Sequence, residues 1–372
     1  FGRRPAPAAQ AADARARRWR AIPLLPAGLC LFAGLDAALL LLGLPAPVTT
    51  ERLADVHGMV LVLGFLGTLV ALERGVALGR PLGYLASGLL GAGGIALLSP
   101  APPRAGRLLL FAGALALLAL YRPLWLRQRD PGVLAQAMGA VLAAGAALLW
   151  SVGVPVATLL PWLAGFVVLT IAGERVELAR LQLARTAERD LTVVAGALTA
   201  AVPATLLFPG PGHTLFGLAL VGGTLWSLHH DVARRTVRSR GAPRFTATAM
   251  LAGYGWLLVA GTLWLVGGAV VDGTGYDALA HAVFLGFALS MVMAHAPVIL
   301  PAVLRRPLPY HPAMWLPLLT LHGSLLLRLG VGDALGATPA HTAGGVFNIA
   351  ALLLFLLVAG WSALRAGRKE RR

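Results

Sequence analysis

The sequence predicts an all-α integral membrane bundle of about twelve transmembrane helices with both termini in the cytosol. Three observations lead there. The chain is 58% hydrophobic and only 12% charged, with a mean hydropathy of +0.78 over 372 residues, a balance foreign to water-soluble domains. Apolar runs of about 20 residues, the length that crosses the hydrocarbon layer as a helix, recur along the chain. With the termini placed inside, 27 of the 31 Lys and Arg fall in the tails or inner loops, and only Arg52, Arg104, Arg107 and Arg328 fall outside. That asymmetry is the one that orients helices during insertion. The net charge of +16 therefore reports insertion and contact with an anionic lipid bilayer, not a nucleic-acid partner.

Taken in order, residues 1–20 carry six arginines and form a basic cytosolic tail. They are too long and too basic for the first region of a cleaved signal peptide, so the first apolar run is expected to be an uncleaved anchor. Spans follow near 21–45, 55–78, 81–99, 107–125, 131–151, 154–173, 191–209, 212–230, 246–270, 276–300, 311–330 and 341–364. They form one domain, 21–366, and a second basic tail closes the chain at 367–372. The runs at 81–99 and 191–209 carry Gly or Pro that would suit a re-entrant or broken helix. The polar stretches RRTVRSRGAPR and ERVELARLQLARTAERD read as inner loops or helix extensions. A lone cysteine, Cys30, excludes an intramolecular disulfide and any CxxC site, and reads as a small core residue.

An internal repeat relates spans 1–3 to spans 9–11. Span 2 opens LADVHGMVLVLGF and leads to GRPLGY; span 10 opens YDALAHAVFLGF and leads to RRPLPY. Such a repeat makes His57 and His281 equivalent, at the outer ends of helices running in the same direction, where a pseudo-twofold axis would bring them to opposite faces of one planar cofactor.

Histidines carry the candidate chemistry, because an ionisable or metal-binding side chain is costly to keep inside a span. Of the nine, His57, His213, His281, His322 and His341 fall in the outer half, and His229, His230, His295 and His311 in the inner half. His281 and His295 are fourteen residues apart, which on a regular helix leaves them about 40° apart around the axis and about 21 Å apart along it. His295 serves either as a ligand or as an interfacial residue. Arg328, six residues beyond His322, would either anchor a haem propionate or snorkel to the headgroups. Asp36 in span 1 would accept the second ring N–H of a ligating histidine, or else stay protonated or face a lumen. His341 and Asn348 are seven residues apart and share a helix face.

Imidazoles in an apolar bundle suit haem iron, and three or more with soft neighbours suit copper. Gly58, Gly64, Gly286 and Gly323 leave room for a macrocycle beside His57, His281 and His322. The segment His281-Ala-Val-Phe-Leu-Gly286 followed by Met291, on the third-last span, resembles the NnrS family of haem- and copper-containing membrane proteins. His57-Gly-Met59 with Gly64-Phe65 looks like a divergent form of that family's early His-Glu-Met-Leu-Phe-Gly-Phe stretch. Gly58 stands where the family has glutamate, and His295-Ala-Pro-Val replaces its Gly-His-Thr-Gly run, departures that bear on copper most. A looser similarity is to subunit I of haem-copper oxidases, also a twelve-helix bundle with outer-half histidines. It lacks a vicinal histidine pair inside a span and a His-Pro-Glu-Val-Tyr-like stretch.

The resemblance implies a role in nitric oxide metabolism or nitrosative stress in a bacterial inner membrane. The expectation is a protein that binds haem b, with copper second, through His57, His281 and His322. His341 and His295 are further metal candidates, Arg328 a propionate partner, and Asp36, Asn348 and Met291 supporting residues. A membrane or periplasmic electron-transfer partner would serve it. The alternative is a cofactor-free transporter or accessory protein whose histidines and aspartates line a proton or substrate pathway.

Overall fold

A computed structural model describes residues 22–179, 185–304 and 307–369. The tail 1–20, the end of the second tail and the middle of ERVELARLQLARTAERD lie outside the described residues. Those described form an all-α bundle without strands. In lipid each backbone N–H and C=O must be satisfied within its own segment, and long Leu- and Ala-rich runs do that as helices. The long helices are α1 (Leu24–Leu41), α2 (Glu51–Leu78), α3 (Pro81–Leu98), α4 (Pro103–Gln128), α5 (Pro131–Ser151), α6 (Val156–Leu178), α7 (Arg189–Leu207), α8 (Pro209–His230), α9 (Ala242–Gly267), α10 (Gly273–Pro301), α11 (Pro312–Asp333) and α12 (Thr338–Gly367).

Eleven of these are long and apolar enough to cross a membrane, which makes the chain a multi-pass membrane bundle by length and composition. The exception is α8. Its 22 residues span about 33 Å, but PGPGHT at one end and SLHH at the other dilute its apolar character. The spans expected near 81–99 and 191–209 are continuous helices; Pro203 sits inside α7 without breaking it. Local signals set several ends. Asp130 accepts a hydrogen bond from Gly132 N at 2.7 Å, with Pro131 opening α5, and Gly79 closes α2 in the left-handed region at φ 70°.

One end of the bundle, where α1 starts and α2 and α6 finish, carries most of the basic residues and is called the basic end below. Close crossings hold the layers together. A Cβ added at Gly64 would stand 2.9 Å from Cys30 Sγ and 3.4 Å from Gly94 Cα, so α1, α2 and α3 meet where small residues let the backbones approach. Cys30 is fully buried there.

Three helices change pitch. Val60–Gly67 in α2, Ala282–Leu289 in α10 and Leu326–Asp333 in α11 are wound as π-helix, a wider turn found often at functional sites. The stretch in α10 lies between His281 and His295. The two histidines line different cavities, which follow one another in depth along the same side of α10.

Candidate functional site

A cavity of about 420 Å³ occupies the half of the bundle away from the basic end. His57 reaches it from α2, Asp277 and His281 from α10, Arg328 from α11, and His341 and Asn348 from α12. The rest of its wall is mostly Leu, Ile, Val and Phe. Its size falls within the roughly 300–1,000 Å³ of ordinary small-molecule and cofactor sites.

The polar side of this wall is one connected network. Arg328 donates to Asp277 through two bonds, Nε to Oδ2 at 2.9 Å and Nη2 to Oδ1 at 2.6 Å. Its side chain is only 9% exposed, so the fork of two parallel bonds neutralises a guanidinium that water scarcely reaches. Asp277 lies four residues before His281, whose Nδ1 is 2.8 Å from Asp277 O and 3.1 Å from Asp277 Oδ1. Both neighbours are acceptors, so Nδ1 is the donor and Nε2 is the nitrogen with no described partner. A second carboxyl, Asp333, meets His341 Nδ1 at 2.7 Å. Asp277, Asp333 and His341 can each offer one ligand atom within 4.8 Å of the others.

Helix packing creates this proximity. A Cβ at Gly332 would stand 2.7 Å from His341 N, and one at Gly344 would stand 2.7 Å from Arg328 N. Glycine at both positions lets α11 and α12 touch backbone to backbone and carries Asp333 to His341. His57 completes the far wall. Its Nδ1 is buried and has no hydrogen-bond partner, and its ring lies close enough to His281, Asp277 and Arg328 to interact with each electrostatically.

The remaining candidates lie elsewhere. His322 is outside the cavity and both its nitrogens are engaged: Trp256 Nε1 donates to Nδ1 at 3.0 Å, and Nε2 lies 3.2 Å from Ser290 Oγ. Because the Ser290 hydroxyl donates to Gly286 O, His322 Nε2–H donates to Ser290, leaving no nitrogen for a metal. Asp36 meets no histidine; its carboxylate accepts from Val48 N at 3.2 and 3.4 Å and ties down the loop after α1. The carboxylate that steadies a cavity histidine is Asp277, whose signal in the sequence was its place one helical turn before His281 in YDALAH. Asn348 donates to Ser324 Oγ at 2.6 Å and its Oδ1 is buried without a partner. Met291 and His295 line a different cavity nearer the basic end. There His295 Nδ1 pairs with Met291 O at 2.8 Å, while Arg175 Nη1 lies 3.2 Å from Nε2.

A family model described as a domain of unknown function, DUF8744, matches residues 20–364. No curated protein and no solved structure matches the chain.

Proposed function

The chain belongs to this family, and from the geometry of its cavity we propose that it is a haem-binding protein of the bacterial cytoplasmic membrane, with its basic end inward. Its proposed role is to bind a small diatomic such as nitric oxide, or to carry electrons in the response to it. The observation that carries the reading is that His57 and His281, on different helices, line one apolar cavity, with a ring nitrogen of each unspent. Imidazole held through its other N–H by a carboxylate or a backbone carbonyl is the usual preparation of a metal ligand, and Asp277 supplies both to His281.

His57 and His281 are the residues that would hold the iron. Haem bound there supplies one-electron redox chemistry and affinity for diatomic gases. The chain's own part is to fix the imidazole orientation through Asp277 and Arg328, and to keep water out with the apolar wall. Arg328 is committed to Asp277, so its part is to position that carboxylate and not to bind a propionate. Asp277, Asp333 and His341 offer two carboxylates and one imidazole, a set for a harder ion than Cu(I), and copper is left out of the reading. The π-wound stretches that follow His57 in α2 and His281 in α10 support the repeat of spans 1–3 in spans 9–11.

Absorbance of the purified chain tests the proposal. A Soret band with about one iron per chain is expected. A shift on adding nitric oxide would favour binding of a diatomic gas as the role, and an unmoved band would favour electron transfer. A colourless, iron-free protein purified from haem-sufficient cells overturns it.

The second reading, a cofactor-free transport pathway, is favoured by one observation. A cavity in the basic half shares Leu31, Phe65 and Leu66 with the first as wall residues. Polar sites in both halves separated by a thin apolar layer are a form that alternating access takes.

A further inference from the structure

The connection from α8 to α9, residues 231–241, is short and fixed. Asp231 opens it, and its carboxylate accepts from Ala233 N at 2.8 Å, from the Tyr254 hydroxyl at 2.8 Å and from Arg175 Nη2 at 3.0 Å. A single helical turn, Ala233–Thr236, follows. Ala233 is 2% exposed, and Val237 packs against the same core. Gly241 then takes φ 67° to start α9, a conformation that only glycine adopts at little cost.

This fixed backbone carries an uncompensated charge. Arg234, Arg235, Arg238, Arg240 and Arg244 are all exposed. Asp231 is the one acidic residue of 231–244, and it is spent within the fold. Among the described residues none of the five meets a carboxylate; their one side-chain bond runs from Arg234 Nη1 to His229 O at 3.5 Å. Other arginines of the basic end do have partners in the protein. Arg74 is held by Glu73 and Glu177, Arg175 by Asp231, and Arg127 by the carbonyls of Ala77 and Leu78. Arg365 lies 4.0 Å from the centroid of the Trp361 ring. Five like charges on one short segment repel one another, and their counter-charge has to come from outside the chain.

Aromatic rings put that charge at the height of lipid headgroups. Phe245, next to Arg244, has its ring centroid 5.8 Å from Tyr310 and 5.6 Å from Trp315, and Trp315 Nε1 donates to the Tyr310 hydroxyl at 3.1 Å. Trp361, 38% exposed, lies toward the same end of α12. Tyr and Trp gather where hydrocarbon gives way to headgroups. The loop begins at that boundary, and its anchors at Asp231 and Val237 keep the guanidinium groups within side-chain reach of it. That height favours a phosphate fixed in the membrane over one carried by a soluble polymer.

We propose that this loop is a docking surface for the headgroups of anionic phospholipids. Guanidinium forks match phosphate oxygens, and roughly four to eight basic residues directly beside a span are enough to gather such lipids from a mixed bilayer. Orienting helices during insertion asks only that the loop be basic. The proposal asks more, that the folded loop hold the lipid, so that the position of the arginines matters and not their number alone. It stands whether or not the far cavity holds haem.

The test uses the purified full chain in bilayer discs of phosphatidylcholine that contain a trace of spin-labelled phosphatidylglycerol or spin-labelled phosphatidylcholine. Electron spin resonance gives the fraction of each label restrained by the protein surface, and circular dichroism confirms the helical content of each variant. The native chain is expected to restrain phosphatidylglycerol about fivefold more strongly, the fold-change that one arginine at a charged surface supplies, and less so as sodium chloride is raised. Arg235→Gln, Arg238→Gln and Arg240→Gln together are expected to bring the two lipids close to equality, with each single variant moving part of the way. The triple variant Arg80→Gln, Arg122→Gln, Arg129→Gln removes the same charge from exposed positions at the same end and is expected to keep most of the preference. A native chain without preference, or equal loss in the two triple variants, overturns the proposal, the second result meaning that only diffuse charge is felt. So does loss of the preference in sodium phosphate but not in sodium chloride of the same ionic strength, which would mean a free-phosphate site. Displacement of the labelled lipid by a single-stranded oligonucleotide would assign the surface to nucleic acid and overturn it as well.

Discussion

Removing the carboxylate of Asp277 is the most informative perturbation of the far cavity. Arg328 keeps only 9% of its side chain exposed and makes both described ion-pair bonds to this one partner, while Asp277 is 20% exposed. Taking one member from a buried pair leaves the other charge uncompensated, at a cost of about 3–5 kcal/mol. The partial exposure of Asp277 places Asp277→Leu at the lower end, about 3 kcal/mol, or two decades in the folding equilibrium. Replacing both members by apolar residues removes the penalty together with the bond, so Asp277→Leu with Arg328→Met is expected to recover to within about 1 kcal/mol of the native chain. That corresponds to a coupling of about 2 kcal/mol or more between neighbouring sites. The assay is reversible unfolding in mixed detergent followed by circular dichroism, for the native chain, both single variants and the double. A single variant that costs less than about 1 kcal/mol, or a double variant no more stable than the worse single, would refute the claim that the pair is buried and that Asp277 is the carboxylate Arg328 depends on.

Three further outcomes follow from the same contacts. Gly332→Val drives a side chain into the backbone of His341 and is expected to cost about 1–3 kcal/mol, whereas Gly330→Ala, with open space around its Cβ, is expected to be neutral or slightly stabilising; unfolding midpoints decide, and equal effects would contradict the close crossing of α11 and α12. His322→Leu strands the indole N–H of Trp256 and is expected to lose about 1–3 kcal/mol with the haem spectrum unaltered, so a spectral change would return His322 to the ligand set. Asp231→Asn weakens the acceptor shared by Arg175 Nε, Arg175 Nη2 and the Tyr254 hydroxyl, at 3.3, 3.0 and 2.8 Å. It is expected to destabilise by about 2–3 kcal/mol while leaving far-cavity ligand binding intact, read by unfolding together with absorbance.

The bundle was legible because a bilayer leaves so few alternatives: a run of about 20 apolar residues has one way to satisfy its backbone. Even α8, diluted by PGPGHT and SLHH, was visible as a span-length run. Depth was legible too, since position along a span fixes height, and His57, His281, Arg328, His341 and Asn348 do share one cavity. Rotation and neighbours were not. The π-wound stretch in α10 has no mark in AVFLGFAL, nor does the division of the space along that helix into two cavities, which parts His295 from His281. His322 had the right depth, but Trp256 and Ser290, which occupy its nitrogens, stand 66 and 32 residues away in sequence. Asp36 likewise had the right depth, yet a backbone N–H twelve residues on takes its carboxylate. Asp277 and Asp333 sit at helix ends, where acidic residues ordinarily face water; the glycine-lined crossing of α11 and α12 carries Asp333 to His341, and Arg328 of α11 binds Asp277 of α10.

The central claim is that one cofactor lies between His57 and His281. Its most direct test is the reduced-minus-oxidised difference spectrum, with haem quantified per chain, of His57→Ala and His281→Ala beside the native protein and His322→Leu. The account predicts a b-type haem in the native chain and in His322→Leu, lost or spectrally transformed in both alanine variants. An identical haem retained in either alanine variant would contradict it.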